Sequence, residues 1–329
     1  MFELITGGSG SGKSSYAEDR ICELSRACQS ASLYYIATMF PFGNGTEEKI
    51  ADHRLRRKGK GFETIECYTG LSEKARMLWP IEKWEKHDRQ DSSQGPCVLL
   101  ECISNLAANE LYMEEGACEQ AVEAIVSGIL YLKEICSHLV VVTNEVFSDS
   151  RFYDEEMRHY QKVMGEINRK LASAADKVTE VVYGSLLALK EDKMKTTEKN
   201  GIKLVIGGAF QGKREYAEKR YPKITRWADG ETCSFEEITS CEGIDHFHLF
   251  LRRWLKCGKE KEELLEQIKG RESALVIICD EIGYGLVPVD AFERKYRECV
   301  GRTMTALTSM SVCVERVICG IGQTIKEAD

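Results

Sequence analysis

Leu4-Ile5-Thr6-Gly7-Gly8-Ser9-Gly10-Ser11-Gly12-Lys13-Ser14-Ser15-Tyr16-Ala17-Glu18 is the stretch from which the rest of the chain can be read. An apolar run, Phe2 to Thr6, leads into Gly7-x-x-x-x-Gly12-Lys13-Ser14, and a helical pattern follows. Strand, glycine loop and helix in that order form a phosphate-binding loop. Glycines let successive backbone N–H groups turn inward around phosphate oxygens, where a Cβ would intrude. The helix that follows presents its positive end to the same anion. This spacing assigns Gly7, Gly8, Ser9, Gly10, Ser11 and Gly12 to the phosphate cradle. It assigns Lys13 to the β- and γ-phosphates and Ser14 to Mg²⁺.

The same stretch returns as Leu204-Val205-Ile206-Gly207-Gly208-Ala209-Phe210-Gln211-Gly212-Lys213-Arg214-Glu215-Tyr216-Ala217-Glu218, 200 positions later. A second match is 136 positions apart: Asn144-Glu145-Val146 with Asp280-Glu281-Ile282, Gly165 with Gly301, Leu171 with Leu307, Gly184 with Gly320 and Lys190 with Lys326. Two collinear matches indicate a tandem duplication whose second copy has lost 64 residues from its middle. The charged segment Lys190 to Gly201 has the composition of a solvated linker. The predicted organisation is a domain over 1–190, a linker over 191–201 and a shortened, degenerate copy over 202–329. Arg214 stands where the second loop needs a hydroxyl for Mg²⁺, so metal-assisted phosphoryl transfer is not expected there.

Val98-Leu99-Leu100 and Leu139 to Thr143 are short apolar runs without alternation, as parallel strands buried on both faces require. Val163, Met164, Ile167, Leu171 and Ala174 have helical spacing and predict a helix over 158–174. Alternating strands and helices predict an α/β fold with mainly parallel central sheets flanked by helices.

Composition narrows the class of protein. The 329 residues are 43% hydrophobic and 30% charged, which excludes a mainly disordered chain. No apolar run reaches bilayer length and the first residues lack a signal-peptide pattern, so a cytoplasmic protein without membrane insertion is expected. A net charge of −8 argues against a nucleic-acid surface. The 14 cysteines include no C-x-x-C and no Cys/His cluster at zinc spacing, so free thiols are expected.

Two further candidates come from the first copy. Thr46 to Gly59 reads as a short helix capped by Thr46 and stopped by Gly59, with His53 on one face with Arg56 and Arg57. Guanidinium neighbours favour a neutral imidazole, suited to act as nucleophile or base, and they also neutralise phosphate charge. A charged helix is equally the ordinary solvated face, and the pattern alone leaves both readings open. Glu101 follows the buried run at a strand tip, where a second Mg²⁺-organising group belongs. His246 and His248 have no acidic or cysteine partner at metal spacing and read as structural; His87, His138 and His159 carry no signal.

Taken together, Thr6 through Ser14, Tyr35-Ile36-Ala37-Thr38, Ile50 through Arg54, Thr64-Ile65-Glu66, Leu99 to Ile103 and Val142 to Val146 resemble the bifunctional adenosylcobinamide kinase / adenosylcobinamide-phosphate guanylyltransferases. The resemblance covers residues 1–190. It implies a RecA-like P-loop fold and two reactions of cobalamin biosynthesis. The first is phosphorylation of the aminopropanol hydroxyl of adenosylcobinamide by a nucleoside triphosphate, ATP or GTP. The second is transfer of GMP from GTP to the resulting phosphate through a guanylylated histidine, which it implies is His53. It implies nucleotide contacts at Gly7 through Ser14, Ala37, Thr38, Met39, Arg54, Leu55, Arg56, Arg57, Glu66 and Glu101. It also implies Mg²⁺ at Ser14 and Glu101, a corrinoid substrate, and a homo-oligomer or a pseudo-oligomer made by the two copies.

The chain departs from the family's pattern at three points. After Asn144-Glu145-Val146 the first copy lacks the usual Gly-x-Gly-Ile-Val-Pro, while the second has it as Gly283 to Pro288. Gly10 stands where the family often has arginine. The second copy lacks the His-Arg segment altogether. Two alternatives stay open on the sequence: a P-loop kinase of another small alcohol, and a non-enzymatic nucleotide sensor.

Overall fold

A computed structural model describes residues 1–28, 32–41, 50–51, 54–55, 57–81, 95–147, 154–190, 200–271, 273–283 and 290–327. The chain divides into two compact units. Unit 1 is Met1–Glu145 with Glu155–Glu191, and unit 2 is Val146–Asp154 with Asp192–Asp329. The short segment Val146–Asp154 therefore belongs with the second unit, although it lies in the sequence of the first copy.

In unit 1 the strands are β1 (Phe2–Thr6), β2 (Leu33–Ala37), β3 (Glu63–Glu66), β4 (Cys97–Glu101), β5 (His138–Val142), β6 (Lys177–Val182) and β7 (Ser185–Ala188). They form one sheet in the order β3-β2-β4-β5-β1-β6-β7. All neighbours are parallel except the β6–β7 hairpin. The helices are α1 (Lys13–Ala27), α2 (Leu71–Leu78), α3 (Ile103–Tyr112), α4 (Ala121–Ile135) and α5 (Glu155–Ala174). Every residue of β1 and β4 is buried, which is why these strands show no alternation. Ile5, Ala17, Ile21, Leu99, Val140 and Val142 share one core cluster, which seats α1 on the sheet. Helix α5 begins at Glu155, three residues before the predicted start. Glu155 and Glu156 favour its positive end, and Val163, Met164, Ile167 and Leu171 are its buried stripe.

Unit 2 repeats the plan with fewer parts. Its strands are β8 (Ile202–Gly207), β9 (Trp227–Asp229), β10 (Gly243–Asp245), β11 (Leu275–Asp280), β12 (Cys313–Ile318) and β13 (Ile321–Glu327). Their order is β13-β12-β8-β11-β10-β9. The helices are α6 (Lys213–Arg220), α7 (Phe247–Lys256), α8 (Lys261–Lys269) and α9 (Ala291–Met310). Phe247, Phe250, Trp254, Leu264, Ile277 and Leu307 belong to its own core.

The duplication is preserved in register. Glu3 faces Lys177 between β1 and β6, and Lys203 faces Cys313 between β8 and β12, the same pair shifted by 200 and by 136. Thr179 faces Ala188 in the first hairpin and Glu315 faces Thr324 in the second. Lys190 donates to the carbonyls of Ala172, Ser173 and Ala175, and Lys326 to those of Thr308, Ser309 and Ser311. Each lysine thus neutralises the negative end of the long helix of its unit.

In both units the phosphate-type loop leaves the carboxyl end of a central strand. The last residues of β2, β3 and β4, namely Ala37, Glu66 and Glu101, lie at that same edge of the first sheet. This is where open parallel sheets bind ligands.

Candidate active site

The first loop is a preformed cradle. Gly7 has φ 152° and a Cβ there would come within 2.5 Å of the Val181 carbonyl oxygen, so only glycine fits beside β6. Gly12 precedes α1 with φ 94°, and the first turn of that helix contains no acidic residue, leaving its positive end open to an anion. Lys13 is buried, and its Nζ donates to the Gly8 carbonyl at 2.9 Å. Burial holds its pKa below the ordinary lysine value, while Cys102 and Glu101 pull the other way. Ser11 Oγ is buried with no hydrogen-bond partner among the described residues. A buried polar atom left unpaired in an otherwise satisfied loop fits a ligand that supplies the partner.

The loop opens on a cleft of about 1570 Å³ within unit 1. Glu101 enters from β4 and accepts a hydrogen bond from the Tyr35 hydroxyl at 3.0 Å. The Arg57 guanidinium covers the Tyr35 ring at 3.5 Å from its centroid. Burial raises the Tyr35 phenol pKa far above its usual value, the Glu101 charge adds to this, and Arg57 opposes it. Arg57 is itself buried, and its Nη1 has no partner among the described residues. A buried cation with an unused donor at a phosphate loop is arranged for an anion. At the outer rim Arg54 meets Glu66 at 3.1 Å, and Tyr68 donates to the other Glu66 oxygen at 3.0 Å.

The cleft gathers Ser9, Gly10, Ser11, Gly12, Lys13, Ser14, Ala37, Met39, Arg54, Leu55, Arg57, Glu66 and Glu101 from the residues the sequence singled out. Gly7, Gly8 and Thr38 do not line it. Thr38 is fully buried, and its Oγ1 donates to the Cys102 carbonyl at 2.8 Å and accepts from the Cys102 N–H at 2.7 Å. It braces the ends of β2 and β4 rather than facing the cleft. His53 and Arg56 lie outside the described residues, as does half of the helix predicted over 46–59. Within that helix Ile50, Ala51, Arg54, Leu55 and Arg57 have helical backbone, and Gly59 is left-handed at φ 86° as its stop role requires.

Asn105 and Asn144 also line the cleft; the sequence marks Asn144 in the repeat and the family-like stretch without assigning it to the site. Asn144 donates to Ser104 Oγ, a contact between the end of β5 and the first turn of α3 that no spacing rule reveals.

The second loop has the same backbone and different chemistry. Gly207 has φ 152° and Gly212 φ 83°, as in the first, and Lys213 Nζ again donates to a loop carbonyl, that of Gly208 at 2.6 Å. Lys213 is also bound to Asp280 Oδ1 at 2.7 Å. Burial raises the Asp280 pKa, but the Lys213 and His248 charges outweigh it and hold the carboxyl below its ordinary value. Phe210 takes the left-handed conformation that Gly10 has in the first loop. Gln211 replaces Ser11 and accepts from the Cys319 N–H with its side-chain oxygen. Arg214 lies on the Trp227 ring, 4.1 Å from its centroid, and bonds Glu218 at 2.8 Å. The polar groups that stay unspent in unit 1 are occupied internally here.

The register also exposes a counterpart hidden from sequence. Asp245 faces Asp229 across β9–β10 as Glu101 faces Ala37 across β2–β4, so Asp245 occupies the Glu101 position. His246, next in line, contacts Asp229 at 3.1 Å, and burial lowers the pKa of His248. All 14 cysteines are free, most of them buried. Among the described residues no helix is long and apolar enough to cross a membrane, and no group of three or more His, Cys, Asp or Glu is placed to hold a metal.

Parallel sheets of this order, each with a glycine loop at its carboxyl edge, define a tandem P-loop α/β protein with one open loop. The family model of cobinamide kinase / cobinamide phosphate guanyltransferase matches residues 3–189 and 243–325, and the chain belongs to that family. By that membership it is a kinase and nucleotidyltransferase of cobalamin biosynthesis. The bifunctional adenosylcobalamin biosynthesis protein CobU of Escherichia coli is 29% identical over 201 residues, 58% of this chain and all of that protein. CobP of Pseudomonas aeruginosa is 27% identical over 199 residues, 59% of this chain and all of that one. Among solved structures, a KaiC-like protein of Pyrococcus horikoshii is 14% identical, covers 60% of this chain and 82% of its own, and has a TM-score of 0.31.

Proposed function

We propose that unit 1 phosphorylates the aminopropanol hydroxyl of adenosylcobinamide and then transfers GMP from GTP to that phosphate through His53, giving adenosylcobinamide-GDP. The observation that carries this reading is the cleft itself. It joins an open phosphate loop, the carboxylate of Glu101 and a buried arginine with an unused donor. The family membership supplies the substrate class.

In the first reaction the hydroxyl oxygen attacks the γ-phosphorus, the bond to the β-bridging oxygen breaks, and a nucleoside diphosphate leaves. Lys13 lies on the loop that cradles these phosphates and offsets the charge that builds on them. In the second, the imidazole of His53 attacks the α-phosphorus of GTP and pyrophosphate departs. The corrinoid phosphate then attacks the same phosphorus, the N–P bond breaks and the histidine is regenerated. Arg57 offers its unused donor to phosphate oxygens in this cleft, and Tyr35 fixes its plane.

The donors present fit Mg²⁺. A hydroxyl at Ser14 and a carboxylate at Glu101 suit a cation that arrives with its nucleotide and takes its remaining ligands from phosphate and water. When bound, it would neutralise phosphate charge.

Incubation with Mg²⁺ and GTP labelled at the α-phosphate, followed by denaturation, tests the transfer step. Acid-labile, alkali-stable label on the chain, absent in His53→Ala, is the expected result. A chain that binds GTP and takes no label would leave a kinase or a sensor in place of the transferase.

A further inference from the structure

The turn between β6 and β7 sets an aromatic ring beside the open loop. Tyr183 is 96% exposed, the most exposed of the large apolar or aromatic side chains among the described residues. Its backbone is left-handed, φ 48°, and Gly184 follows at φ 81°. Two consecutive left-handed residues make a tight hairpin turn that asparagine and glycine suit best, so the tyrosine brings nothing to the turn. The turn is fastened to the phosphate loop: the Gly184 N–H donates to the Ser11 carbonyl at 2.8 Å. A Cβ on Gly12 would lie 3.7 Å from Gly184 Cα. Tyr183 does not line the cleft that holds Arg57 and Glu101. It flanks the loop outside that cleft.

Unit 2 provides the contrast. Its turn, Cys319-Gly320, has the same left-handed pair, φ 53° and 80°, and Gly320 N–H donates to the Gln211 carbonyl at 2.9 Å. There the residue in Tyr183's place is a cysteine only 2% exposed. The exposed aromatic accompanies the open loop, and the loop closed by Asp280 has none.

We propose that Tyr183 is the nucleobase platform of the nucleoside triphosphate held by Gly7 to Ser14. The base of a nucleotide lies a ribose beyond the α-phosphate, within reach of a residue flanking the loop. A flat exposed ring fixed to the loop by its neighbour offers the base a face. Stacking uses the face that every base has, so Tyr183 gives affinity to adenine and guanine nucleotides alike and does not choose between them. The inference rests on the nucleotide-binding part of the proposed function and is independent of the corrinoid.

The test is titration calorimetry on the full chain with GTP, ATP and inorganic tripolyphosphate. Tyr183→Asn keeps a residue suited to the turn and removes the ring; Tyr183→Phe keeps the ring. Tyr183→Asn is expected to weaken both nucleotides about 5- to 100-fold while tripolyphosphate changes less than about twofold, and Tyr183→Phe should bind like the native chain. Unchanged nucleotide affinity in Tyr183→Asn overturns the proposal. So does a parallel loss for tripolyphosphate, which would make the turn a brace of the loop. A chain that shows the expected pattern yet turns over no corrinoid would overturn the reaction proposed above and leave Tyr183 in its role.

Discussion

Glu3 is a carboxylate in the middle of a buried strand, and the residues around it explain why it is tolerated. Arg20 donates to it at 3.0 Å, Thr179 at 2.8 Å and Tyr16 at 3.2 Å, with the Lys177 ammonium at 3.2 Å. Burial pushes its pKa up, and the Thr179 hydrogen bond and the Arg20 and Lys177 partners bring it below the ordinary 4.5. A carboxyl with a lowered native pKa stabilises the fold fully above its unfolded value, and that contribution is lost as pH falls through the native value. Unit 1 should therefore lose stability on acidification below about pH 4.5. Glu3→Gln should remove that part of the pH dependence and, at neutral pH, cost about 1–3 kcal/mol, because Arg20 and Lys177 lose their shared carboxylate while Arg20 keeps Glu23. Circular dichroism melts from neutral to acid pH read both effects. In unit 2 the corresponding charge is Glu315, which accepts from Tyr216, Arg220 and Tyr221.

At the scale of elements the two loops make opposite expectations from one backbone. Asp280, the counterpart of Asn144, holds Lys213 where a phosphate would, and Phe210 and Gln211 replace residues that leave the first loop open. Calorimetry should find a single nucleotide site per chain. Lys13→Ala should weaken it about a hundredfold or more, and Lys213→Ala should leave it unchanged. A second site that vanishes with Lys213→Ala would show the closed loop to be functional. The loop, β1, β4 and α5 were legible in the sequence because their signals are local: a glycine spacing, an unalternating apolar run, a stripe at helical period. Asp245 was not, because the loss of 64 residues breaks the numerical offset between copies, and only hydrogen-bonded register restores the match. Tyr35 belongs to a stretch that resembles the family, but its hold on Glu101 and Arg57 is a three-way contact across 66 residues that no linear pattern carries. The resemblance implies a nucleotide contact at Thr38, and its hydroxyl bonds the Cys102 backbone, a pairing no linear pattern shows.

At the scale of the whole molecule, each unit has its own sheet and its own core. Scanning calorimetry should resolve two transitions. GTP should raise one of them by mass action, and Glu3→Gln should lower that same one. The composition of Val146–Asp154 marks no boundary, whereas its contacts group it with unit 2. The Gly283 to Pro288 segment, which the first copy lacks, is described only at Gly283.

The buried carboxylates have a further meaning for the gene. Between equivalent strands the charge has changed sides: Glu3 and Thr179 in one copy, Lys203 and Glu315 in the other. Unequal crossing-over between the repeats would splice the opening strand of one copy to the closing strands of the other. Such a hybrid carries Glu3 with Glu315, two carboxylates against one arginine, or Lys203 with Thr179 and no carboxylate at all. The single-copy product of such an exchange joins β1 to β12 and sets two carboxylates against one arginine. The opening and closing strands of each copy are therefore matched in charge to each other and not to those of the other copy.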